Sequence, residues 1–396
     1  MLLLRRYFAL AGCLCAAVAN AQPDAAAIEA RLSRLEAALA RIEARLGDRA
    51  NVPELAPVAR ELSEVTRDVA TKVPTAIPAQ MAGREEKLAV GGLLQVNAGA
   101  GGVPDARYDG VRNRFLVRRA RLMVRGSFAE NVDFMFLPEF GNAAITGVSG
   151  YRGQLTDAYV TWRKYPQATL QAGQFKTPFG YEQLISDAKV VTVERSLPND
   201  RLTFGRQIGA SLSGVAAGET LTYSAGLFNG NGTNNGNNDN DQMMSAARVG
   251  AVVWTHGTDS LRINANLLHS RDTGVFTGTR DGRGIDVQFA RGPLEVAAEY
   301  LRVDSARAGG STIVADGWMA QATWFFGSKI WQAVARFETF DANRRAAGNV
   351  SDGWVLGFNY YLKGDDLKLS FNYHLGNPAG PQAQEDRVLG RVQVVF

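Results

Sequence analysis

Cysteine, histidine and long apolar runs are all scarce in this chain of 396 residues. It holds 2 cysteines, Cys13 and Cys15, and 3 histidines. Both cysteines lie in the first 21 residues, so removal of that leader would exclude disulfide bonds and thiol chemistry. No segment has the roughly eighteen uninterrupted apolar residues that a transmembrane helix needs. These absences exclude a helical membrane protein and a disulfide-stabilised one.

A basic block is also absent. The formal net charge is only +4, and the arginines are spread along the chain. We therefore expect no nucleic-acid partner. The histidines, His256, His269 and His374, have no nucleophile motif beside them and no metal-ligand spacing. We expect no enzyme activity, no catalytic or metal site and no cofactor, although a membrane-embedded lipase stays a minor alternative.

Residues 1–21 have the features of a secretory signal peptide. Arg5 and Arg6 precede a short apolar core, and Ala19-Asn20-Ala21 fits the small-x-small cleavage pattern. An alternative is lipoprotein processing, because Leu10-Ala11-Gly12-Cys13 resembles the lipoprotein cleavage box. That cut would leave a shorter apolar core than signals normally have. The leader predicts an exported protein.

Residues 22–73 show helical periodicity. Their apolar positions follow the heptad spacing of a coiled coil: Ile28, Leu32, Leu35, Leu39, Ile42 and Leu46. Leucine at a and isoleucine at d favour three or four strands over two. We predict a short α-helical coiled-coil stalk that assists oligomerisation, with a single amphipathic helix packed on its own domain as the alternative. Residues 74–86, with Pro74 and Pro78, are predicted to form an extended linker.

From Lys87 onward the apolar pattern has a period of two, which indicates β-strands. Sixteen strands are predicted, at roughly 87–98, 113–127, 131–140, 151–164, 167–175, 205–215, 219–229, 242–255, 259–269, 283–291, 293–303, 313–326, 329–340, 351–361, 366–375 and 386–396. Tight turns alternate with longer polar loops between them. That alternation is typical of bacterial outer-membrane barrels, whose periplasmic turns are short and whose extracellular loops are long.

The final strand, 386–396, has the clearest alternation. Its apolar face is Val388, Gly390, Val392, Val394 and Phe396. Its other face is Arg387, Leu389, Arg391, Gln393 and Val395, and it carries the two arginines. The length is close to the ~9–11 residues with which a tilted strand crosses a bilayer. This pattern predicts the closing strand of a transmembrane barrel, ending in a phenylalanine that the barrel-assembly machinery reads; an edge strand of a soluble sandwich is the alternative.

We therefore predict an all-β fold, a transmembrane antiparallel β-barrel of 16 strands over 87–396, preceded by the coiled-coil stalk. An even strand number places both termini, and hence the stalk, in the periplasm. About sixteen strands enclose a lumen wide enough for water. The loop at 176–204 is too long for a hairpin and is normally functional at such a length. We expect it to fold inward and narrow the lumen, with a cover over the barrel mouth as the alternative.

The second predicted strand has the densest cationic run of the chain: Arg112, Arg114, Arg118, Arg119, Arg121 and Arg125. Arg119, Arg121 and Arg125 are expected to face the lumen and Leu116 the lipid, because a lipid-facing arginine near the midplane costs about 2–4 kcal/mol. Arg118 has lipid parity, so it lies at a subunit interface or is rotated inward by a bulge. A row of guanidinium groups would attract anions.

The alternative to net anion attraction is balanced charge inside the lumen. The wall acids available for pairing are Asp157, Asp286, Glu295, Glu299 and Glu338. The long loop also carries acids that nearly balance its bases: Glu182, Asp187, Glu194 and Asp200. Paired charges would leave little net field along the passage.

An ordered set of motifs resembles the phosphate-selective porin O and P family. The motifs include Arg118-Arg-Ala-Arg-Leu122, Asp157-Ala-Tyr-Val160, Gly173-Gln-Phe-Lys-Thr-Pro-Phe179, Glu194-Arg-Ser-Leu-Pro198, Gly205-Arg206 and Gly226-Leu-Phe-Asn-Gly230. The resemblance covers about 87–396. It implies a homotrimeric channel in the outer membrane of a Gram-negative bacterium, with an inward third loop and an arginine-lined path for phosphate-like anions.

The matching motifs imply that Arg118 or Arg119, together with Arg121, belongs to the arginine path. They also imply that three further bases lie at the constriction: Lys176, Arg195 and Arg206. The full set of candidate pore-lining residues is Arg118, Arg119, Arg121, Arg125, Lys176, Lys189, Arg195 and Arg206. The expected partners are a homotrimer, outer-membrane lipid and small anionic solutes. One departure is that the selective members place several lysines at the constriction, whereas this loop has two. General weakly selective diffusion, and a structural anchor, therefore stay open as alternatives.

Overall fold

The computed structural model describes residues 77–81, 84–110, 112–128, 130–141, 153–273, 277–377 and 384–396, with side chains from residue 88 onward. The predicted signal peptide and coiled-coil stalk lie outside these residues. No helix in the described part of the chain is long and apolar enough to cross a bilayer.

The described residues form one antiparallel sheet of seventeen strands. The strands are β1 (Ile77–Met81), β2 (Arg84–Gly101), β3 (Arg114–Phe128), β4 (Val132–Glu139), β5 (Gln154–Tyr165), β6 (Ala168–Lys176), β7 (Arg206–Ala216), β8 (Leu221–Phe228), β9 (Met244–His256), β10 (Asp259–Asp272), β11 (Gly278–Arg291), β12 (Leu294–Arg307), β13 (Thr312–Phe326), β14 (Trp331–Asp341), β15 (Val350–Lys363), β16 (Leu367–Gly376) and β17 (Arg387–Val395). From β2 to β17 each strand pairs with the next in the chain, and β17 pairs with β2. Sixteen strands therefore close into a barrel, as the sequence predicts.

The predicted strands correspond one to one with β2–β17, because alternation is a local property of the sequence. The largest error is at β11, which begins at Gly278 rather than 283. Within the range predicted as an extended linker, 74–86, β1 pairs with the start of β2. Pro78 is compatible with this strand, since among the described residues β1 pairs with β2 alone and a proline is tolerated at an edge.

The two faces of the barrel differ in polarity. In β17, Val388 and Val392 are exposed, whereas Arg387, Arg391 and Gln393 are buried. This confirms the predicted split of the last strand into an apolar outer face and a polar inner face. Gly92 of β2 donates its N–H to the carbonyl of Phe396 at 2.8 Å, so the terminal residue completes the closure.

The two rims differ in the length of their connections. At one rim the turns are short, as at 257–258 and 292–293, where Gly257 and Gly292 have positive φ angles of 61° and 57°. Such angles suit the tight turns of β-hairpins. The other rim carries the long connections, including 102–113, 177–205 and 229–243. The predicted alternation of short and long connections is confirmed.

Short helices occur only in long-rim connections among the described residues. A single 3₁₀ turn, Ala106–Tyr108, lies between β2 and β3. Helices α1 (Tyr181–Leu184) and α2 (Leu197–Leu202) lie in the connection between β6 and β7. Ser196 caps α2 by accepting a hydrogen bond from the N–H of Asn199 at 3.3 Å, and Pro198 follows near its start, where it needs no donor.

Candidate functional site: a loop across the lumen

The connection at 177–205 crosses the inside of the barrel. Its backbone hydrogen-bonds to inward side chains of strands far from β6 and β7. Gln95 of β2 donates to the carbonyl of Asp187 at 3.0 Å, and Asn359 of β15 donates to that of Val191 at 2.8 Å. Asn372 of β16 accepts from the N–H of Val193 at 2.6 Å. These wall amides thus satisfy backbone carbonyl and N–H groups of the loop.

One buried carboxylate of the loop gathers three guanidinium groups. Asp187 lies 3.0 Å from Arg119 Nη2 and 2.5 Å from Arg195 Nη1, and it also pairs with Arg121. Burial alone would raise the pKa of Asp187, but Arg119, Arg195 and Arg121 outweigh burial and hold that pKa well below its usual range. The aspartate is therefore ionised and ties the loop to β3.

A second buried carboxylate of the loop, Glu194, also pairs with arginines of the barrel wall, one on β3 and one on β17. Glu194 Oε2 lies 2.9 Å from Arg118 Nη2, and Glu194 Oε1 lies 3.2 Å from Arg391 Nη2 of β17. Asn97 of β2 donates to the same carboxylate at 2.9 Å. Burial raises the pKa of Glu194, yet Arg118 and Arg391 lower it by more, so it falls below the ordinary value.

A β-bulge brings both Arg118 and Arg119 to the inner face. The register between β2 and β3 shifts so that Gln95 opposes Arg119 while Val96 opposes Val117. The extra residue, Arg118, reverses the alternation of the strand. The expectation that Leu116 faces lipid is therefore wrong: Leu116 is buried and opposes Asn97, whose amide reaches Glu194.

Two further buried arginines hold the loop, and sequence reasoning missed both. Arg107, in the 3₁₀ turn, lies 2.9 Å from Asp105, 2.8 Å from Asp200 and 3.3 Å from Glu338. Burial would lower the pKa of Arg107, but the carboxylates, Asp105 first, raise it well above its ordinary value. Arg336 of β14 donates to the carbonyl of Glu194 at 3.1 Å. No sequence signal marks Arg107, because its turn has no strand periodicity.

The side of the loop towards β8–β12 is held by apolar contacts. Phe179 and Leu202 of the loop are buried with inward residues of the wall, including Phe228, Leu268 and Leu301. Phe179 also meets Phe204 edge to face, with ring centroids 5.9 Å apart. The loop is thus fixed by ion pairs on one wall and by hydrophobic packing on the other.

A cavity of about 420 Å³ lies between the loop and β10–β13, on the side towards the short turns. Polar residues that line it include Glu182, Lys189, Arg262, Gln288, Glu295 and Gln321. Lys189 is exposed and Arg262 is half-buried. Among the described residues, neither has a carboxylate within salt-bridge distance. Lys189 is among the predicted pore-lining residues and Arg262 is not, although its inward parity in β10 was the available signal.

The predicted pore-lining residues separate into groups. Arg118, Arg119, Arg121 and Arg195 come together around the loop carboxylates, and Arg121 also lies 2.6 Å from Glu139. These four arginines contact three carboxylates, the loop acids Asp187 and Glu194 and Glu139 of β4. None of the three belongs to the wall acids that were named for pairing.

The remaining predicted residues lie apart from that cluster. Arg206 pairs with Asp157 at 2.9 Å, and Lys176 donates to the carbonyl of Ile185 at 2.7 Å. Arg125 and Lys189 are exposed. Of the wall acids, Asp157, Asp286 and Glu338 do pair with arginines, in the last two cases with Arg248 and Arg336. Glu299 instead accepts from the backbone of Tyr181.

Comparison with solved structures shows the same fold. The anion-selective porin from Comamonas acidovorans is 14% identical, with 79% of this chain and 100% of that chain covered and a TM-score of 0.56. The outer membrane channel DcaP of Acinetobacter baumannii is 14% identical, with 81% and 100% covered and a TM-score of 0.58. The trimer form of OmpT from Vibrio cholerae is 12% identical, with 78% and 99% covered and a TM-score of 0.54. Comparison with curated proteins gives no match.

The family comparison covers most of the chain. The family described as phosphate-selective porin O and P matches residues 93–258 and 261–396, which include nearly all of the barrel and the whole inward loop. The chain therefore belongs to the phosphate-selective porin O and P family.

Proposed function

We propose that the protein is an outer-membrane porin, a water-filled channel through which small anions diffuse passively. The closed barrel, its apolar outer face and its family support this assignment. The observation that carries the anion preference is the pair of cations, Lys189 and Arg262, that line the cavity beside the loop without a described carboxylate partner. Glu295 lines the same cavity and is exposed, so the preference is expected to be weak.

The arginines of β3 have a different role in this proposal. A guanidinium group that is paired with a buried carboxylate has little charge left to offer a passing anion, and separating such a pair costs about 3–5 kcal/mol. Arg118, Arg119 and Arg121 therefore hold the loop in place and set the width of the passage. Phosphate or a related oxyanion is the solute class that the family description suggests, and two unpaired cations favour modest selectivity among such anions.

Reversal potentials in planar bilayers test the proposal. We expect the K189Q/R262Q variant to lose most of the chloride-over-potassium preference in a KCl gradient, and phosphate salts to respond in the same direction. The matched control is R163Q, because Arg163 is an exposed arginine paired with Asp133 at the short-turn end of β5. An unchanged reversal potential in K189Q/R262Q would show that these side chains do not line the path.

We also propose a homotrimer in the outer membrane of a Gram-negative bacterium, with residues 22–73 as a periplasmic coiled-coil stalk after loss of residues 1–21. The trimer form of the OmpT relative and the heptad pattern support this arrangement. Conductance should appear in groups of three equal steps, and deletion of 22–73 should weaken the trimer in detergent without abolishing conductance. Deletion of Phe396 should lower the amount of protein inserted by the barrel-assembly machinery.

A structural anchor is the second candidate function. The inward loop favours this function because it crosses the lumen and contacts several strands of the wall. Among the described residues, the cavity beside the loop has a volume of about 420 Å³. An anchor should show no conductance in a planar bilayer. Regular conductance steps from the purified protein would therefore reject it.

A further inference from the structure

The outer surface of the barrel becomes charged near the long-loop rim of β11–β13. In β11 the outward Ile285 is exposed and apolar, but Arg283, two residues nearer the rim, is 57% exposed. In β12 the outward Tyr300 is followed by Arg302, and in β13 Trp318 is preceded by Asp316. Charge at this height marks the end of the apolar belt and the level of the lipid headgroups.

Two carboxylates of this surface pair with its arginines. Asp304 accepts from Arg283 Nη2 at 2.6 Å and from Arg302 Nε at 2.9 Å. It lies two residues nearer the rim than Arg302 on the same face of β12, and at 21% it is less exposed than either guanidinium group. A guanidinium group has five N–H donors, and most of those on Arg283 and Arg302 are left for an outside acceptor.

Asp316 is a second carboxylate of this surface that accepts hydrogen bonds from neighbouring side chains. It accepts from Arg344 Nη1 at 2.8 Å and from the Tyr300 hydroxyl at 2.9 Å. Asp316 is 11% exposed and Arg344 is 55% exposed. Three outward guanidinium groups thus share this surface with three aspartates, Asp304, Asp316 and the exposed Asp281, and form a row of charged donors without a net charge.

An apolar concavity of about 990 Å³ adjoins this surface on the outer wall. Its apolar lining includes Leu170, Leu212, Leu227 and Leu267, and Arg283 lies at its edge with His269 and Asp281. Small outward residues, such as Ala210 and Ala247, give the concavity its depth. Charged donors therefore stand next to an apolar surface that can accept hydrocarbon chains.

We propose that this surface, formed by Arg283, Arg302 and Arg344 and the adjoining concavity, binds a phosphorylated glycolipid of the outer leaflet. Its phosphate accepts from the guanidinium groups, which match phosphate oxygens in pairs, and its acyl chains occupy the concavity. The donor groups of the arginines and the joined apolar surface together favour a lipid over free phosphate, which would contact the donors alone. The proposal rests on the outer-membrane placement proposed above, because that placement puts the long-loop rim in the outer leaflet.

Titration of the full-length protein in detergent with bisphosphorylated lipid A, followed by native mass spectrometry, tests the proposal. We expect R283Q/R302Q to weaken binding by about tenfold or more, since each charged hydrogen bond contributes substantially. R283K/R302K keeps the positive charges but lacks the planar pair of guanidinium donors, so its affinity should lie between that of the wild type and that of R283Q/R302Q. The matched control is R291Q, because Arg291 is exposed on the same strand at the opposite rim; its affinity should equal that of the wild type.

Two further binding measurements, with dephosphorylated lipid A and with inorganic phosphate, identify the ligand. Dephosphorylated lipid A should bind the wild type weakly, and millimolar inorganic phosphate should not displace the bound lipid. Equal affinity of R283Q/R302Q and the wild type, or equal affinity for the dephosphorylated lipid, would overturn the proposal. So would a change of oligomeric state with lipid binding intact, because the surface would then be a subunit contact.

The channel readout is kept separate from the lipid readout. R283Q/R302Q should insert with the heat-modifiable mobility of the folded barrel and should conduct with the reversal potential of the wild type. A protein that bound the lipid through these arginines yet did not conduct would contradict the porin assignment alone. A conducting protein whose lipid binding ignored them would contradict the lipid site alone.

Discussion

Arg118 Nη2 and Glu194 Oε2 lie 2.9 Å apart inside the barrel, although 76 residues separate them in the chain. Both side chains are buried. The pair joins the bulge of β3 to the loop, and Arg391 of the last strand joins it from the other side. One carboxylate therefore connects the loop to β3 and β17, the two strands that flank β2 at the point where the barrel closes. The position of the loop and the closure of the barrel depend on each other for this reason.

Replacing Glu194 with glutamine should release this end of the loop. The change removes the carboxylate charge that Arg118 and Arg391 share, and losing one partner of such a buried pair costs about 3–5 kcal/mol. We expect a larger single-channel conductance and a stronger chloride preference, because the loop loosens and one negative charge beside the two guanidinium groups is lost. Single-channel recording in KCl gradients measures both.

The control for Glu194→Gln is Asp133→Asn. Asp133 also pairs with an arginine, Arg163, but that pair is exposed. Exposed pairs contribute about 0–1 kcal/mol, so the control should leave conductance and selectivity unchanged. A wild-type conductance from the Glu194 variant would mean that the ion pair does not hold the loop.

Acid should release the loop at a pH set by two of its carboxylates, Asp187 and Glu194. The pKa values of Asp187 and Glu194 are both lower in the folded protein than the usual values of about 3.9 and 4.3. Their stabilisation is therefore complete above those usual values and is lost as the pH falls through the lower folded values. Conductance should therefore change as the pH falls below about 4.

The acid response should depend on Asp187. Asp187→Asn removes one of the two titrating groups, so its conductance should already differ from that of the wild type at neutral pH and should change less on acidification. Conductance recorded across the pH series in both proteins measures this. Equal acid responses of Asp187→Asn and the wild type would contradict the assignment.

Phe179→Ala should loosen the apolar side of the loop. Phe179 is fully buried against the wall, and removal of a buried phenyl ring costs about 3–5 kcal/mol. We expect faster proteolysis within 177–205 and noisier open-channel current. The control is Phe115→Ala, because Phe115 is 86% exposed on the outer side of β3. Equal proteolysis of the two variants would contradict the packing role.

Gly173→Ala should lower the yield of folded barrel. Gly173 has a φ of +130°, and an added Cβ would lie 2.2 Å from the carbonyl oxygen of Ala158. Only glycine adopts that conformation without strain. Gly390→Ala is the control, since its Cβ would meet nothing closer than 4.0 Å. The heat-modifiable fraction after refolding measures the difference, and equal fractions would contradict it.

The strands could be predicted from the sequence because alternation follows from local geometry. In β17, the positions of Val392 and Arg391 fix the lipid and lumen faces without any knowledge of the neighbouring strands. The prolines of 74–86 indicated an extended segment, but only the tertiary structure shows that part of it, β1, pairs with β2. The bulge at Arg118 was named as one of two possibilities, and only the register of β2 against β3 distinguishes them.

The loop shows where sequence reasoning reached its limit. Its length indicated a functional segment, and its acids and bases could be counted. Which acid meets which arginine depends on how a closed barrel places β2, β3, β14 and β17 around the loop. The free arginine path was expected because Arg119 and Arg121 were considered on their own strand, without Asp187 opposite them.

The sequence by itself determined a sixteen-stranded barrel with an apolar outside and a polar inside, since each residue's face follows from its parity in a strand. Only the tertiary structure decided which charges are left for solutes and lipids. Electrostatic pairing acts over a few ångströms in space, and residues such as Arg118 and Glu194 come within that distance only after the sheet has closed.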